Sequence, residues 1–385
     1  MKALYFSTLL AVTSLVCAAP APEKTIAPLL RAKEAGSGST IICKPHFHAK
    51  PKALSITPLG SSPSKARSFY GFDKVSGTGT GQSIAIIDAY GSPTIQKDLD
   101  TFCTTYGLPK TTVQIHYPSG VPTTTDKDWA TETSLDVEWA HAIAPGAAIH
   151  LVISPDASDS KLLAAVDYAV SLGAKQISMS WGSDEFSGQS TYSSHFNVPG
   201  VSFFASSGDN GAGVSWPAVD PSVVGVGGTT LYYNVFGCTY DEKAWSGSGG
   251  GTSKYTGEPT YQGSFQTSTK RMVPDVSYDA DPMTGFAVYM TNMSVLGGWG
   301  VIGGTSAGAP QWAALMALVN SMRKAPLQNV LSVLYQLGDP KTRTLYFRDI
   351  TSGGNGGYNA ATGYDEVTGL GTPHSDKLVS MLVSK

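Results

Sequence analysis

Ser83-Ile84-Ala85-Ile86-Ile87-Asp88 is an apolar run closed by a carboxylate. A strand that is apolar on both faces belongs inside a sheet covered from both sides. The chain then alternates. Ser92–Tyr106, Thr131–Ile143 and Lys161–Leu172 read as helices, and Ala148–Ile153, Gln176–Ser180, Val201–Ala205 and Val223–Val226 as strands. This alternation predicts an α/β fold, a mostly parallel central sheet with helices on both faces. Gly- and Ser-rich connections such as Ser246–Ser253 (SGSGGGTS) are the loops placed to line a cleft.

Outside that pattern the chain begins with Lys2, an apolar run Ala3–Val16 and small residues Cys17, Ala18 and Ala19. Residues 1–18 therefore read as a secretory signal, too short for a membrane span. No later stretch reaches membrane length, so the expected product is secreted, extracellular, free of membrane and monomeric. Charged residues make up 14% and the net charge is −3, which gives no sign of a nucleic-acid partner. Residues 19–54 are rich in Pro, Lys and His and read as a leader or short propeptide without regular structure. Within them His46 and His48 of Lys44–Lys52 (KPHFHAKPK) could bind a metal or belong to a solvated basic tract. Residues 55–385 read as the main domain. Beyond the signal stand Cys43, Cys103 and Cys238, of which Cys103 and Cys238 could pair in an exported protein. Asn292-Met293-Ser294 is the single glycosylation sequon.

Gly303-Gly304-Thr305-Ser306-Ala307-Gly308-Ala309-Pro310 combines a tight glycine turn with the start of an apolar helical run, Ala307 to Met322. Ser306 is thereby placed at a helix N-terminus, a plain N-cap or a nucleophile beside unpaired donors. A base is available. Glu132 and Asp136 stand at i and i+4, so both carboxylates share one helix face. In a cleft they would share a proton, and such a carboxyl can take a proton from a serine in acid, where imidazole is already charged. On spacing alone a solvated acidic face is the favoured reading, and Glu138, on the opposite side, fits that role better. Asp209 follows the strand Val201–Ala205 in Ser206-Ser207-Gly208-Asp209-Asn210-Gly211, either as a turn cap or as a donor to an oxyanion when protonated.

Taken together, Gly304–Pro310, Glu132-x-x-x-Asp136 and Ser207-Gly208-Asp209 resemble the sedolisins, the serine-carboxyl peptidases. The resemblance extends through Ser178–Gly182 (SMSWG), Ser246–Ser253 with Pro259–Gln262, and Val273–Tyr289. It implies a subtilisin-like fold and cleavage of protein or peptide substrates in acid. It also implies Ser306 as nucleophile, Glu132 as base and then acid, Asp136 as its tuning partner and Asp209 at the oxyanion. It further implies one structural Ca²⁺ near the C-terminus, bound by the carboxylates of Asp349 and Asp365 and the carbonyls of Ile350, Ala361 and Gly363, a set of hard oxygens suited to that ion. One feature departs from the family: sedolisins commonly carry a long folded prosegment, whereas residues 19–54 are few. How a zymogen would be held inactive is left open.

Rival readings use other bases. Gly304-Thr305-Ser306-Ala307-Gly308 also fits the G-x-S-x-G elbow of α/β-hydrolases, with Asp349 or Asp365 and His374 following. A subtilisin-type triad could draw on Asp88, but no histidine has the matching context. A retired scaffold that only binds is the non-enzymatic alternative. Gly77-x-Gly79-x-Gly81 precedes its strand, which excludes a dinucleotide loop. Ser180, Trp181 and Gly182 read as a strand edge for an extended peptide, with Trp181 alternatively in the core. Ser215-Trp216-Pro217 is expected to border the specificity pocket.

Overall fold

In the computed structural model, residues 40–50, 54–234, 239–291 and 297–385 are described. The central sheet is assembled from β1 (Ser83–Ala89), β2 (Val113–His116), β3 (Ala148–Ser154), β4 (Gln176–Met179), β5 (Ser202–Ser206), β6 (Val223–Asn234), β7 (Thr239–Ala244) and β8 (Val276–Asp279). Its order is β7-β6-β5-β4-β1-β3-β2, with β8 also paired to β6. Every pairing is parallel except β6 with β7.

β1 accounts for the layering. Ile84 and Ile86 point into one buried cluster with Leu135, Trp139, Trp312 and Leu315, while Ala85, Ile87 and Ala89 point into a second with Leu162, Val166 and Trp181. Side chains alternate across a strand, so a run that is apolar at every position is covered twice. Helices α1 (Ile95–Tyr106), α2 (Lys127–Ile143) and α4 (Gly308–Ser321) lie over the first face, and α3 (Asp159–Ser171) over the second.

Several boundaries differ from the sequence reading for identifiable reasons. α2 starts four residues early because Asp126 caps it, its side chain accepting from the N–H groups of Asp128 (2.9 Å) and Trp129 (3.0 Å). β6 runs well past Val226: it pairs with β5 up to that residue, with β8 from Val226 to Thr229, and with β7 beyond. Ala307 does not begin the helix. Thr305–Ala307 form a 3₁₀ turn and α4 starts at Gly308.

The segment read as an irregular leader is ordered where it is described. Lys44–Pro45 pairs antiparallel with Trp181–Asp184, and His48–Ala49 pairs antiparallel with Gly298–Gly303. Residues 40–50 thus form a strap between two strand edges. Cys43 and Cys103 are free, buried thiols, and Cys238 lies outside the described residues. So do the signal stretch 1–18 and the sequon at Asn292. Among the described residues no helix is long and apolar enough to cross a membrane.

Candidate active site

α2, buried along almost its whole length, brings Glu132 and Asp136 up against the turn that carries Ser306. Ser306 Oγ has one proton and two acceptors within reach, Glu132 Oε2 at 3.0 Å and the Ser180 carbonyl at 3.1 Å. The Ser180 hydroxyl donates to Asp136 Oδ1 at 2.8 Å. Glu132 and Asp136 are linked by a side-chain hydrogen bond, although Glu132 Oε1 and Asp136 Oδ2 have no N–H or hydroxyl partner. Two facing carboxyls satisfy each other only when a proton lies between them. A hydroxyl bonded to a carboxyl that is in turn oriented by a third group is a nucleophile-and-base geometry.

Asp209 stands at the loop end of β5, where sites gather in parallel sheets. Its Oδ1 accepts from the Thr305 N–H (2.8 Å) and the Thr305 hydroxyl (2.7 Å). Its Oδ2 is buried without a hydrogen-bond partner, with His48 Nε2 3.7 Å away. Gly304 makes the approach possible. Its φ of +102° is one that side chains avoid, and a Cβ there would collide with Asp209 Oδ2, the His46 carbonyl oxygen and Phe47 Cα.

The electrostatics follow from burial. Glu132 is pushed well above the usual carboxyl range first by burial, then by the charges of Asp136 and Asp88. Burial and Asp88 do the same to Asp136, against the hydrogen bond from Ser180. Burial raises Asp209 to about 6 and Asp88 to about 7. Asp88 is the group that sequence reasoning considered only for a His-dependent triad. It stands one residue before the end of β1, and among the described residues neither of its oxygens has a hydrogen-bond partner, the Thr133 hydroxyl donating to the Trp129 carbonyl. Asp88, Glu132 and Asp136 thus form a cluster of three buried carboxyls that, among the described residues, make no ion pair.

Two histidines reach this site, and both come from the strap. The Ser306 N–H donates to the His46 carbonyl at 3.1 Å, and the His46 N–H donates to the Ser180 carbonyl at 3.1 Å. The His46 ring is bonded through Nδ1 to Ser206 Oγ at 2.9 Å, and burial lowers its pKa to about 4. The expectation of a solvated basic tract is corrected for His46, which is buried; His48 stays half exposed.

Other sequence expectations divide. Trp181–Asp184 is a strand edge that receives an extended peptide, and the Trp181 ring is also core, its indole N–H donating to the Ile87 carbonyl. Glu138 is not a solvated face: it is fully buried and accepts the Tyr289 N–H at 3.1 Å. His141 Nε2 donates to the Pro109 carbonyl at 2.6 Å, and His374 packs by the C-terminal helix with Tyr346 and Lys377. Neither can serve Ser306 as a base.

The five residues expected to hold calcium come together, but the described arrangement does not form an oxygen cage. Asp349 Oδ2 accepts from Arg343 at 2.6 Å, and the Gly363 N–H, not its carbonyl, faces Asp349 at 3.3 Å. Asp365 accepts from the N–H groups of Ala361, Val367 and Thr368 and from the Thr368 hydroxyl. Ile350 is buried beside them. Protein donors already occupy both carboxylates, and among the described residues no group of three His, Cys, Asp or Glu side chains could hold a metal.

A serine turn set over a twisted parallel sheet places the chain in the class of subtilisin-like folds, and the subtilase family matches residues 124–364. Kumamolisin of Bacillus sp. (strain MN-32) is 31% identical, over 93% of this chain and 71% of that protein. Sedolisin of Pseudomonas sp. (strain 101) is 33% identical over 48% of this chain and 35% of its own length. Tripeptidyl-peptidase 1 of Dictyostelium discoideum is 28% identical over 64% of this chain and 46% of that protein. The chain thus spans less than half the length of two of these three relatives. A Pseudomonas sedolisin structure, complexed with two molecules of pseudo-iodotyrostatin, superposes with a TM-score of 0.73 at 28% identity, covering 86% of this chain and 99% of that one. Sphericase, at 21% identity and a TM-score of 0.52, shares the fold. This chain belongs to the sedolisin family, the serine-carboxyl peptidases, and is a serine-type peptidase.

Proposed function

We propose that the chain hydrolyses peptide bonds in acidic medium through an acyl-enzyme on Ser306. Glu132 takes the Ser306 proton and returns it to the leaving amine. Asp136 holds Glu132 and, through the shared proton, sets when it can accept another. Asp209, protonated, donates to the oxyanion beside the Ser306 N–H.

The observation that carries this reading is the 3.0 Å bond from Ser306 Oγ to Glu132 Oε2 inside a buried carboxyl cluster. The orphaned Oδ2 of Asp209, raised to about 6, supports its role as a donor in acid. Substrates are proteins or peptides laid as an extended strand along Trp181–Asp184. Export through residues 1–18 belongs to the same reading. So does a stabilising Ca²⁺ at the C-terminal loop, which would have to displace Arg343 from Asp349 and gather the oxygens of Asp349, Asp365, Ile350, Ala361 and Gly363.

The test is the pH profile of cleavage of an unstructured protein, from about pH 2 to 9. An acid maximum is expected, since an imidazole base with a pKa of about 6.5 is lost there. Ser306→Ala and Glu132→Gln should each lower kcat by about 10³-fold or more with an unchanged fold. A maximum above neutral pH, or near-normal turnover of Glu132→Gln, would overturn the mechanism.

A further inference from the structure

Two histidines meet at the open edge of the central sheet. β2 is an edge strand, paired among the described residues only with β3, with Gln114 opposite His150 and His116 opposite Val152. Side chains alternate along a strand, so His116, His150 and Val152 share one face. Val152 fixes which face that is: it belongs to the buried cluster under α3, whereas Ile149 and Leu151 belong to the other. On this face His116 Nε2 and His150 Nδ1 lie 3.0 Å apart. The Tyr168 ring of α3 stands beside them, its centre 5.6 Å from that of His116. Both imidazoles are half-buried, so the strands hold the pair in place while solvent still reaches it.

We propose that His116 and His150 form a binding site for a divalent transition-metal ion of the imidazole-preferring kind, Cu²⁺ or Zn²⁺. Two nitrogens bonded to one ion at about 2.0–2.1 Å, with about 90–109° between them, stand about 2.9–3.4 Å apart. The observed 3.0 Å falls in that range. In the metal-free pair one ring donates its N–H to the lone pair of the other. Binding needs the donor's proton to move to its other ring nitrogen, after which both facing nitrogens carry lone pairs and no proton is lost. Burial lowers the pKa of both rings, and the charge of His116 lowers that of His150 further, which favours the neutral form that binds a metal.

The donor set selects the ion. Imidazole suits copper, zinc and nickel and not the hard ions Ca²⁺ and Mg²⁺, and copper binds such nitrogens more tightly than zinc. Among the described residues no third His, Cys, Asp or Glu joins the pair, so water completes the coordination shell and the ion exchanges with solvent. The site uses no residue of the Ser306 cluster or of the C-terminal loop. Its consequence is mechanical: the ion would tie β2, only four residues long, to the one strand that holds it. A ligand that binds only the folded chain raises its melting temperature.

The experiment takes the full chain as Ser306→Ala, so that no hydrolysis intervenes, at about pH 7.5, above the ordinary histidine range. Ca²⁺ is kept in excess throughout, so that the C-terminal loop does not contribute. Cu²⁺ and Zn²⁺ are titrated in turn, followed by calorimetry and by thermal unfolding. The expected result is one ion bound at this pair, tighter for Cu²⁺ than for Zn²⁺, with a raised melting temperature. His116→Gln and His150→Gln should each weaken that binding by about 10-fold or more, since even groups standing behind a metal ligand contribute that much. His48→Gln, at the half-exposed histidine beside Asp209, should leave it unchanged. The electron paramagnetic resonance spectrum with one equivalent of Cu²⁺ should show two imidazole nitrogens, a reading that needs no substitution in the pair. Binding that survives both substitutions, a copper spectrum with fewer than two imidazole nitrogens, or no binding of either ion overturns the inference.

Discussion

Gly304 shows how little room the site leaves at single residues. Its backbone (φ 102°, ψ 159°) lies where only glycine is at ease, and a methyl group would occupy space shared by Asp209 Oδ2 and the His46 carbonyl. Gly304→Ala is therefore expected to cost about 1–3 kcal/mol of stability from the backbone alone and to displace Asp209 or any bound carbonyl. Thermal unfolding and kcat/KM would check it: a fall in both is expected, and wild-type values would show that the turn has a second conformation. At this scale the sequence was partly legible. Glu132 and Asp136 could be paired from their i, i+4 spacing, because a helix fixes which residues share a face. Asp88 lies 44 positions before Glu132, and nothing local says that β1 ends against α2. His46 was missed for a different reason. A short Pro- and Lys-rich stretch carries no periodicity, and its order comes from the edges it joins.

Among the elements, the C-terminal loop offers the sharpest test of what its carboxylates are for. Asp349 and Asp365 are each satisfied by protein donors, with Arg343 supplying a full positive charge to the first. Calcium would have to compete with that guanidinium, so binding should be weaker than in a cage of unpaired carboxylates. The expected outcome is a melting temperature a few degrees higher in millimolar Ca²⁺ than with chelator, since a ligand at 100 times its Kd adds about 2.7 kcal/mol. Asp365→Ala should remove the difference and Arg343→Gln should lower the Ca²⁺ concentration needed. A melting temperature indifferent to Ca²⁺ would leave Arg343 as the loop's resident cation. Helices and strands themselves were legible because apolar periodicity is local. β6 was not, since its last residues are held by β7 and β8, partners later in the chain. Ser306 lies one turn outside its helix for a similar reason: the strap and Asp209, not the helix cap, fix that turn.

Over the whole molecule, buried carboxyls set how stability responds to pH. Asp88, Glu132, Asp136, Glu138 and Asp279 are all held above the ordinary carboxyl range, with burial the largest cause in each. A group whose pKa is raised on folding stabilises the fold fully below its unfolded value and loses that contribution as pH rises through its folded value. Unfolded carboxyls titrate near pH 4, and the folded values that bound the window are about 6 for Asp209 and Asp365 and about 7 for Asp88. Stability should therefore decline between about pH 4 and 7. His46 acts in the opposite direction, because its pKa is lowered to about 4 and charging it below about pH 6.5 disfavours the docked strap. One histidine on the strap does not outweigh five carboxyls fixed in the core. In Ser306→Ala, which lacks the proposed nucleophile, and with chelator present to remove any Ca²⁺ effect, the melting temperature at pH 4 should exceed that at pH 8 by about 5–10 °C. Asp88→Asn should flatten the slope, because an amide has no proton to lose in that window. A melting temperature that rises with pH instead would mean that these carboxyls are ionised and paired in the folded chain, and the acid-base reading of Glu132 would fall with that result.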